Sequence, residues 1–241
     1  MKIVAIIQAR VGSKRLPGKI LKKIDGMPMI IKQLKRIALS RTLNEIVVAT
    51  PKSKKNDQLI KLIKKHKFKY FRGSESNVLK RYIQTAKKFK ADAIVRITSD
   101  NPLVSPELID KLVKIFIKNE FDYVSNVFPM TYPMGFAIEI LDIHTLEKIY
   151  RKSKTDYFKE HVTAYIHKNK REFNIHNLKL KKNLSKFRLT VDEIDDFKVV
   201  SKIFNIFYPN IGFSFKKITK LFTSNPEIFK INSLVKQKNS N

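Results

Sequence analysis

Four basic side chains, Arg10, Lys14, Arg15 and Lys19, fall within ten residues of the stretch "ARVGSKRLPGK". Gly12 and Gly18 stand among them. Such a loop suits an anion. Glycine lets the backbone approach a ligand closely, and exposed N–H groups with cationic side chains form a cradle for phosphate. It is not a Walker A loop, because Gly18 and Lys19 are followed by Ile20 where Ser or Thr is required, and it contains no G-x-G-x-x-G. On these residues alone it is either a phosphate site or an ordinary charged turn.

The elements that must position it are legible in the hydrophobic pattern. Residues 2–8 form a continuous apolar run, as expected of a strand buried on both faces of a parallel sheet. The runs "EIVVAT", "FKYF", "DAIVRIT" and "FDYVSNV" read as further strands. Between them lie helical patterns, one opened by Pro28, one carrying Leu59, Leu62 and Ile63, and one over residues 78–89. Ser105-Pro106-Glu107 predicts a helix start, with a cap residue, proline in the first turn and a carboxylate at the positive end of the helix dipole. Strand and helix alternate, which predicts an α/β fold with a doubly wound, mostly parallel sheet. Ligands bind beyond the carboxyl ends of such strands, so the Ala9 loop, the Arg72 turn and the Asp100 loop are expected to converge. Beyond Phe128 the rhythm changes. "FAIEIL" reads as a strand with Asp142 capping the next helix, residues 155–168 as one helix, and "EFNIHNL" and "FRLTVD" as strands, followed by a helix bearing Val200, Ile203 and Phe204. The segment after Asn225 is polar and expected to fray.

Bulk composition narrows the classes. At 241 residues with 43% hydrophobic content, the chain fits one sizeable domain with a real core. It has no cysteine, so disulfides, thiolate nucleophiles and cysteine zinc sites are excluded. Its longest apolar run is too short for a membrane span, and Gln8 and Arg10 interrupt that run too early for a signal peptide. A cytoplasmic protein with no membrane association is the expectation. The net charge of +29 raises nucleic acid as a partner. However, the basic residues are 40 Lys and 10 Arg, with the lysines spread over every helix. The richest stretches, "KSKK", "IKKHKFKYF" and "LKLKKN", read as helix or turn surface, so nucleic acid is the lesser expectation.

The sequence resembles the cytidylyltransferases that make CMP-activated sugars. The motifs are "IIQARVGSKRLPGKIL", "IDGMPMI", "IVVAT", "RGSESNVLKRY", "IVRITSDNPLVSPELID", "DYVSN", "GFAIEI", "EHVTAYI" and "RLTVDEIDDF". They span roughly residues 1–200 and come closest to the CMP-Kdo synthetase pattern and to the SpsF-like branch of spore-coat polysaccharide biosynthesis. The resemblance implies a Rossmann-like, GT-A-like nucleotidyltransferase sheet forming one domain over residues 1–225, with a polar tail at 226–241. It also implies an inserted segment at roughly 127–185 through which such proteins form homodimers.

The activity implied is magnesium-dependent transfer of CMP from CTP to a small acidic sugar-like acceptor, with release of pyrophosphate. Gln8, Ala9, Arg10, Gly12, Ser13, Arg15, Lys19, Arg72 and Ser74 would bind the nucleotide. Arg10, Lys19 and Asp100 would act in catalysis, Asp100 and Asp192 would hold magnesium, and Gly135, Glu139, Glu160 and His161 would face the acceptor. Asp100 can instead form a turn before Asn101-Pro102, and Asp192 can instead cap the following helix in competition with Asp195 and Asp196. The pattern departs from many relatives at Gln8, where proline is common, at Ser99, where glycine is common, and at Lys159, where arginine is usual. A nucleotide-sugar-dependent glycosyltransferase is the nearest rival, but it typically carries D-x-D where this chain has "TSDNP".

Overall fold

The first strand lies inside the sheet, covered on both faces, and its residues 3–7 are fully buried, as a continuous apolar run requires. The computed structural model describes residues 1–237. After β1 (Ile3–Gln8) come β2 (Lys23–Ile24) and β3 (Met27–Pro28), a separate short hairpin turned by Asp25 and Gly26, both at positive φ. There follow α1 (Met29–Ile37), β4 (Glu45–Pro51), α2 (Asp57–Lys65), β5 (Lys69–Gly73), α3 (Val78–Lys88), β6 (Ala93–Thr98), α4 (Pro106–Lys118) and β7 (Tyr123–Ser125). The chain continues through β8 (Glu139–Asp142), α5 (Ile143–Lys152), α6 (Asp156–Glu160), α7 (Ala164–Lys168), β9 (Ile175–Asn177), α8 (Ile194–Phe207), α9 (Phe215–Ser224) and α10 (Pro226–Lys230). Among the described residues no helix is long and apolar enough to cross a membrane.

Seven strands form one sheet in the order β5-β4-β1-β6-β8-β7-β9. Pairing is parallel from β5 through β6 and between β7 and β9, while β8 runs antiparallel to both its neighbours. The predicted doubly wound, mostly parallel α/β sheet is therefore present. The chain leaves β1 towards β4 and β5 on one side and reaches β6 on the other. The order thus reverses between β1 and β6, and the crevice of such a sheet opens at their carboxyl ends. One face is packed by residues of α1, α4 and α8, and the other by residues of α3, α5 and α7.

The cap predictions hold. Ser105 Oγ accepts from Leu108 N at the start of α4, and Asp142 Oδ1 accepts from Thr145 N at the start of α5. Three expectations change. The helix expected over residues 155–168 is two short helices, α6 and α7. The Thr163 hydroxyl between them donates to the buried Glu139 at 2.5 Å, which holds residues 161–163 out of helical register. "FRLTVD" is not a strand. It makes one isolated bridge, Met134 with Arg188, and its N–H groups go to different partners, Leu189 to Met134 O and Val191 to Asp100 O. The tail does not fray from residue 226. There α10 packs through buried Ile228, and the buried Asn232 donates to Arg188 O and to Asp196. Only residues 238–241 of that segment lie outside the described part. The segment at 127–185 contributes β8 and β9 to the central sheet.

Two side chains of α1 brace the loop that follows β6. Gln33 Nε2 donates to Thr98 O at 2.8 Å and to Asn101 O at 2.9 Å. Arg36, fully buried, donates to the carbonyls of Leu103, Val104, Ile211 and Phe213 and stacks on the Phe213 ring. Burial pulls its pKa down to about 10, against the opposing pull of Glu107, so it remains a cation at neutral pH.

Gly135 is required by the backbone path. It sits at φ +109, and a Cβ there would collide with the Leu189 carbonyl and come within 2.7 Å of Thr190 N. We expect Gly135→Ala to destabilise the fold by about 2 kcal/mol or more, from backbone strain and overpacking together. Urea unfolding of the two proteins measures this, and equal stabilities would contradict the close approach.

Candidate active site

The loop after β1 is fixed before it meets any ligand. Ala9 N–H bonds to Ala49 O at 3.1 Å, and Val11 N–H to Asn56 Oδ1 at 3.0 Å. Ser13 Oγ accepts from Leu16 N, and Leu16 and Ile20 are buried as apolar anchors. Gly18 takes a left-handed φ of 66 at the start of the turn that presents Lys19. The loop after β6 is fixed equally firmly. Ser99 N–H bonds to Gln8 O, the Thr98 hydroxyl donates to Asp100 Oδ1 at 2.5 Å, and Gln33 holds the turn from below.

The segment at 188–192 is laid against that second loop. Val191 N–H and the Thr190 hydroxyl both donate to Asp100 O, at 2.8 and 3.3 Å. These bonds bring Asp192 beside Asp100, 92 positions away in sequence. The result is a cleft of about 500 Å³ lined by Gln8, Arg10, Ser13, Lys14, Arg15, Lys19, Thr98, Ser99, Asp100, His161 and Asp192. Its volume lies in the range of ligand pockets. Hollows of about 530, 310 and 520 Å³ elsewhere lie at the sheet edge or on the surface and bring no carboxylate pair together.

Four cations of the lining, Arg10, Lys14, Arg15 and Lys19, face two carboxylates in this cleft, and Arg188 meets one of those carboxylates from outside the lining. Lys19 Nζ lies 3.0 Å from Asp192 Oδ1, 3.6 Å from Asp100 Oδ2 and 2.7 Å from Val191 O. Arg15 Nη2 lies 2.9 Å from the same Asp192 Oδ1. Arg188 Nη2 takes Asp192 Oδ2 at 2.8 Å, so Asp192 meets three cations. Burial pushes the Asp192 carboxyl up, but Lys19, Arg15 and Arg188 outweigh it and hold the group below the ordinary aspartate value. Asp100 is more open, with 30% of its side chain exposed. Arg10 and Lys14 line the cleft and, among the described residues, pair with no carboxylate. Gln8 Oε1 and Arg15 Nη1 are buried at its wall with no hydrogen-bond partner. Buried polar atoms of this kind ordinarily find one.

Of the residues singled out from sequence, Gln8, Arg10, Ser13, Arg15, Lys19, Asp100, Asp192 and His161 meet in the cleft. Others do not. Ala9 and Gly12 lie on the loop but outside the lining, and the Ala9 N–H is already bonded within the sheet. Arg72 does not converge on the cleft. It turns to the start of α2, donating to Ser53 O at 2.9 Å and pairing with Asp57 at 2.8 Å. Ser74 caps the turn before α3, where its hydroxyl accepts from Asn77 N, and its carbonyl accepts from the buried Arg81. Gly135 serves the backbone packing described above. Glu160 stands next to His161 but outside the lining, where its charge acts on Arg81. Asp192 does not cap α8, because Glu193 holds that position with Asp196 accepting from its N–H.

Glu139 is neither a surface residue nor part of the cleft wall. It is buried, ion-paired with Arg96, and accepts from Tyr123 Oη at 2.6 Å and from Thr163 at 2.5 Å. Burial works against its charged form, yet Arg96 and these donors hold its pKa below the usual carboxylate value. Through Thr163 it anchors the short connection that carries His161 to the cleft. Arg188 beside the cleft was not singled out from sequence, and Asp196 was weighed only as a helix cap, where it does take part in the capping box of α8. The available signal was a charged residue inside the apolar run "FRLTV".

An α/β sheet whose switch point opens on a basic loop and two carboxylates is a framework for handling phosphorylated nucleotides. The chain belongs to the cytidylyltransferase family, whose sequence model, described as cytidylyltransferase, matches residues 4–239. The chain is 40% identical over 243 residues to protein MJ1063 of Methanocaldococcus jannaschii, covering 99% of this chain and 97% of that one. It is 29% identical over 232 residues to the spore coat polysaccharide biosynthesis protein SpsF of Bacillus subtilis, covering 93% and 95%. The structure superposes on a cytidylyltransferase from Leptospira borgpetersenii with a TM-score of 0.92 at 30% identity, over 99% of this chain and all of the other.

The Glu139 network generates two expectations. Glu139→Gln leaves Arg96 without its carboxylate and is expected to cost about 3–5 kcal/mol in urea unfolding. His167, hydrogen-bonded to Tyr123 Oη, has its pKa lowered from 6.5 by burial, against Glu139 and with Arg96 and Lys170. Folding therefore keeps the proton off this ring. The stability this represents is present above pH 6.5 and is lost as pH falls from there through the lowered folded value. Thermal melts at pH 7.5 and 5.5 should show a smaller acid loss in His167→Gln than in wild type.

Proposed function

We propose that this chain transfers CMP from CTP to an oxygen of a sugar acid or related acidic acceptor and releases pyrophosphate, in surface polysaccharide or glycoconjugate biosynthesis. One observation carries the reading: the cations of the first loop and the carboxylate of Asp100 meet in one cleft at the sheet's switch point. Membership of the cytidylyltransferase family supports the nucleotide, and the likeness to SpsF supports the setting.

The acceptor oxygen forms a bond to the α-phosphorus, the bond from that phosphorus to the β-bridging oxygen breaks in line, and pyrophosphate carries the electron pair away. Arg10, Arg15 and Lys19 bind and neutralise the triphosphate and the departing pyrophosphate, where fixed cations act most strongly on developing charge. The arginine forks can grip two phosphate oxygens, while Lys19 acts as a point charge. Lys14 adds to the same field. His161 stands on the cleft wall, where it can take the proton of the attacking hydroxyl.

The donor set suits magnesium, which favours oxygen ligands and is commonly bound by one or two carboxylates together with substrate phosphates. Asp100 fits directly, being partly exposed, with Lys19 Nζ 3.6 Å from its Oδ2. Asp192 fits as a second ligand only where its Oδ1 is released by Lys19 and Arg15. When bound, the ion would supply charge neutralisation at the phosphate and a lowered pKa for the attacking hydroxyl. The reading includes a homodimer formed through residues 127–185, supported by Phe128 and Met130, which are 43% and 36% exposed there.

Calorimetric titration of CTP with magnesium tests the reading. Arg10→Ala should weaken binding by about 1.5–3 kcal/mol, the worth of a hydrogen bond to a charged group. Asp100→Asn should keep CTP affinity within a few-fold and lose pyrophosphate release with any productive acceptor. Absence of CTP binding would refute the proposal. Turnover of a nucleotide sugar without pyrophosphate release would replace it with a glycosyltransferase.

A further inference from the structure

The ion pairs around Asp192 have a division that phosphate binding alone does not require. Its Oδ2 is tied into the body of the protein. Arg188, which holds it, is 5% exposed and meets the fully buried Asp196 through Nε at 2.8 Å and Nη2 at 3.1 Å. Asp196 in turn accepts from the N–H groups of Asp192 and Glu193 and from Asn232 Nδ2. The Oδ1 of Asp192 meets two cations of the loop after β1, Lys19 and Arg15. One oxygen of a single carboxylate is fixed to the core, and the other holds the loop.

We propose that Asp192 is a positioning residue for Lys19 and Arg15, an exchangeable counter-ion that holds them over the cleft until a nucleotide arrives and then yields them to the triphosphate. The Arg188–Asp196 pair keeps the carboxylate in place when the two cations leave. This rests on the reading of the cleft as a CTP site and adds a role for Asp192 that precedes any metal.

The charges dictate the arrangement. Lys19 Nζ and Arg15 Nη2 both sit about 3 Å from one oxygen, so like charges are drawn close together, which an intervening anion makes favourable. Holding them there leaves less ordering for the binding step. The pairing opposes binding more strongly, because the triphosphate must take both cations from the Asp192 carboxylate, and without metal this competition sets the sign of the net effect. Once it has them, Asp192 Oδ1 and Asp100 Oδ2, which now flank the same ammonium, face each other as two carboxylates. A divalent cation is favoured at that position after the exchange and disfavoured before it. Nucleotide and metal are therefore coupled, and the coupling is reciprocal.

The experiment is calorimetric titration of CTP into the full chain, in EDTA and again in magnesium, for wild type and Asp192→Asn, with thermal melts to confirm folding. Asparagine keeps the shape of the side chain and removes its charge. In EDTA the variant should bind CTP about fivefold or more tightly than wild type, the lower end of ordinary coupling. The difference should shrink as salt is raised. Magnesium should then strengthen CTP binding by wild type far more than by the variant. A merely structural Asp192 would produce no gain in EDTA. If Asp192→Asn does not fold, Asp192→Ser, too short to hold Lys19, carries the same comparison. CTP binding by wild type with unchanged or weaker metal-free affinity in a folded variant overturns the counter-ion role alone. Absence of CTP binding by wild type in both conditions overturns the CTP reading and this role with it.

Discussion

A carboxylate taken out of water must be paired, and Asp192 meets that requirement with three cations from two distant parts of the chain. Much of the site depends on this pairing. Lys19 and Arg15 bring the loop after β1 to it. Arg188 and Asp196 bring the start of α8, and Asn232 brings the segment after α10. The hydrogen bonds from Val191 and Thr190 to Asp100 O then set the second carboxylate next to the first. Each of these segments contributes a group that would be costly to bury alone, and the charges offset one another where they meet.

The two faces of the sheet support the cleft in different ways. Beneath the Asp100 loop, Gln33 and Arg36 of α1 satisfy backbone carbonyls that have no partner in the sheet. On the other face, Glu139 gathers Arg96, Tyr123 and Thr163, and through Thr163 it sets the position of His161. Both are buried polar clusters built on charge-assisted contacts, although Gln33 Oε1 and Arg96 Nε within them are buried without a hydrogen-bond partner among the described residues. The Asp100 wall and the His161 wall are therefore braced separately, and a change in one bracing cluster need not move the other.

Features that depend on local pattern were legible before the structure. The apolar runs became β1, β4, β5 and β6, and the Ser105 and Asp142 caps stand where residue type placed them. So did the basic loop, because its residues are adjacent in sequence. What escaped was set by contacts between residues far apart. The break between α6 and α7 follows from Thr163 reaching Glu139, 24 positions away. Arg72 was drawn to the start of α2 by Asp57 and Ser53, although its strand end pointed to the cleft on topology alone. Gly135 carried a family resemblance that its backbone explains, since Leu189 and Thr190 pass too close for a side chain.

The two cleft carboxylates differ in what their surroundings allow them to do. Asp192 is 8% exposed, held below its ordinary pKa by cations, and bound through Oδ2 to a buried pair that cannot easily move. Asp100 has more of its side chain in the open, its Oδ1 accepts from Thr98, and its Oδ2 has one cation at a looser 3.6 Å. An arriving polyanion competes with both for Lys19, but only Asp192 must give up a second cation as well. On the proposed exchange, Asp100 is the carboxylate that engages a ligand with least rearrangement, while Asp192 changes partners. Two aspartates of identical intrinsic chemistry differ in this way because one is anchored to the core through Arg188 and Asp196 and the other is partly open to solvent.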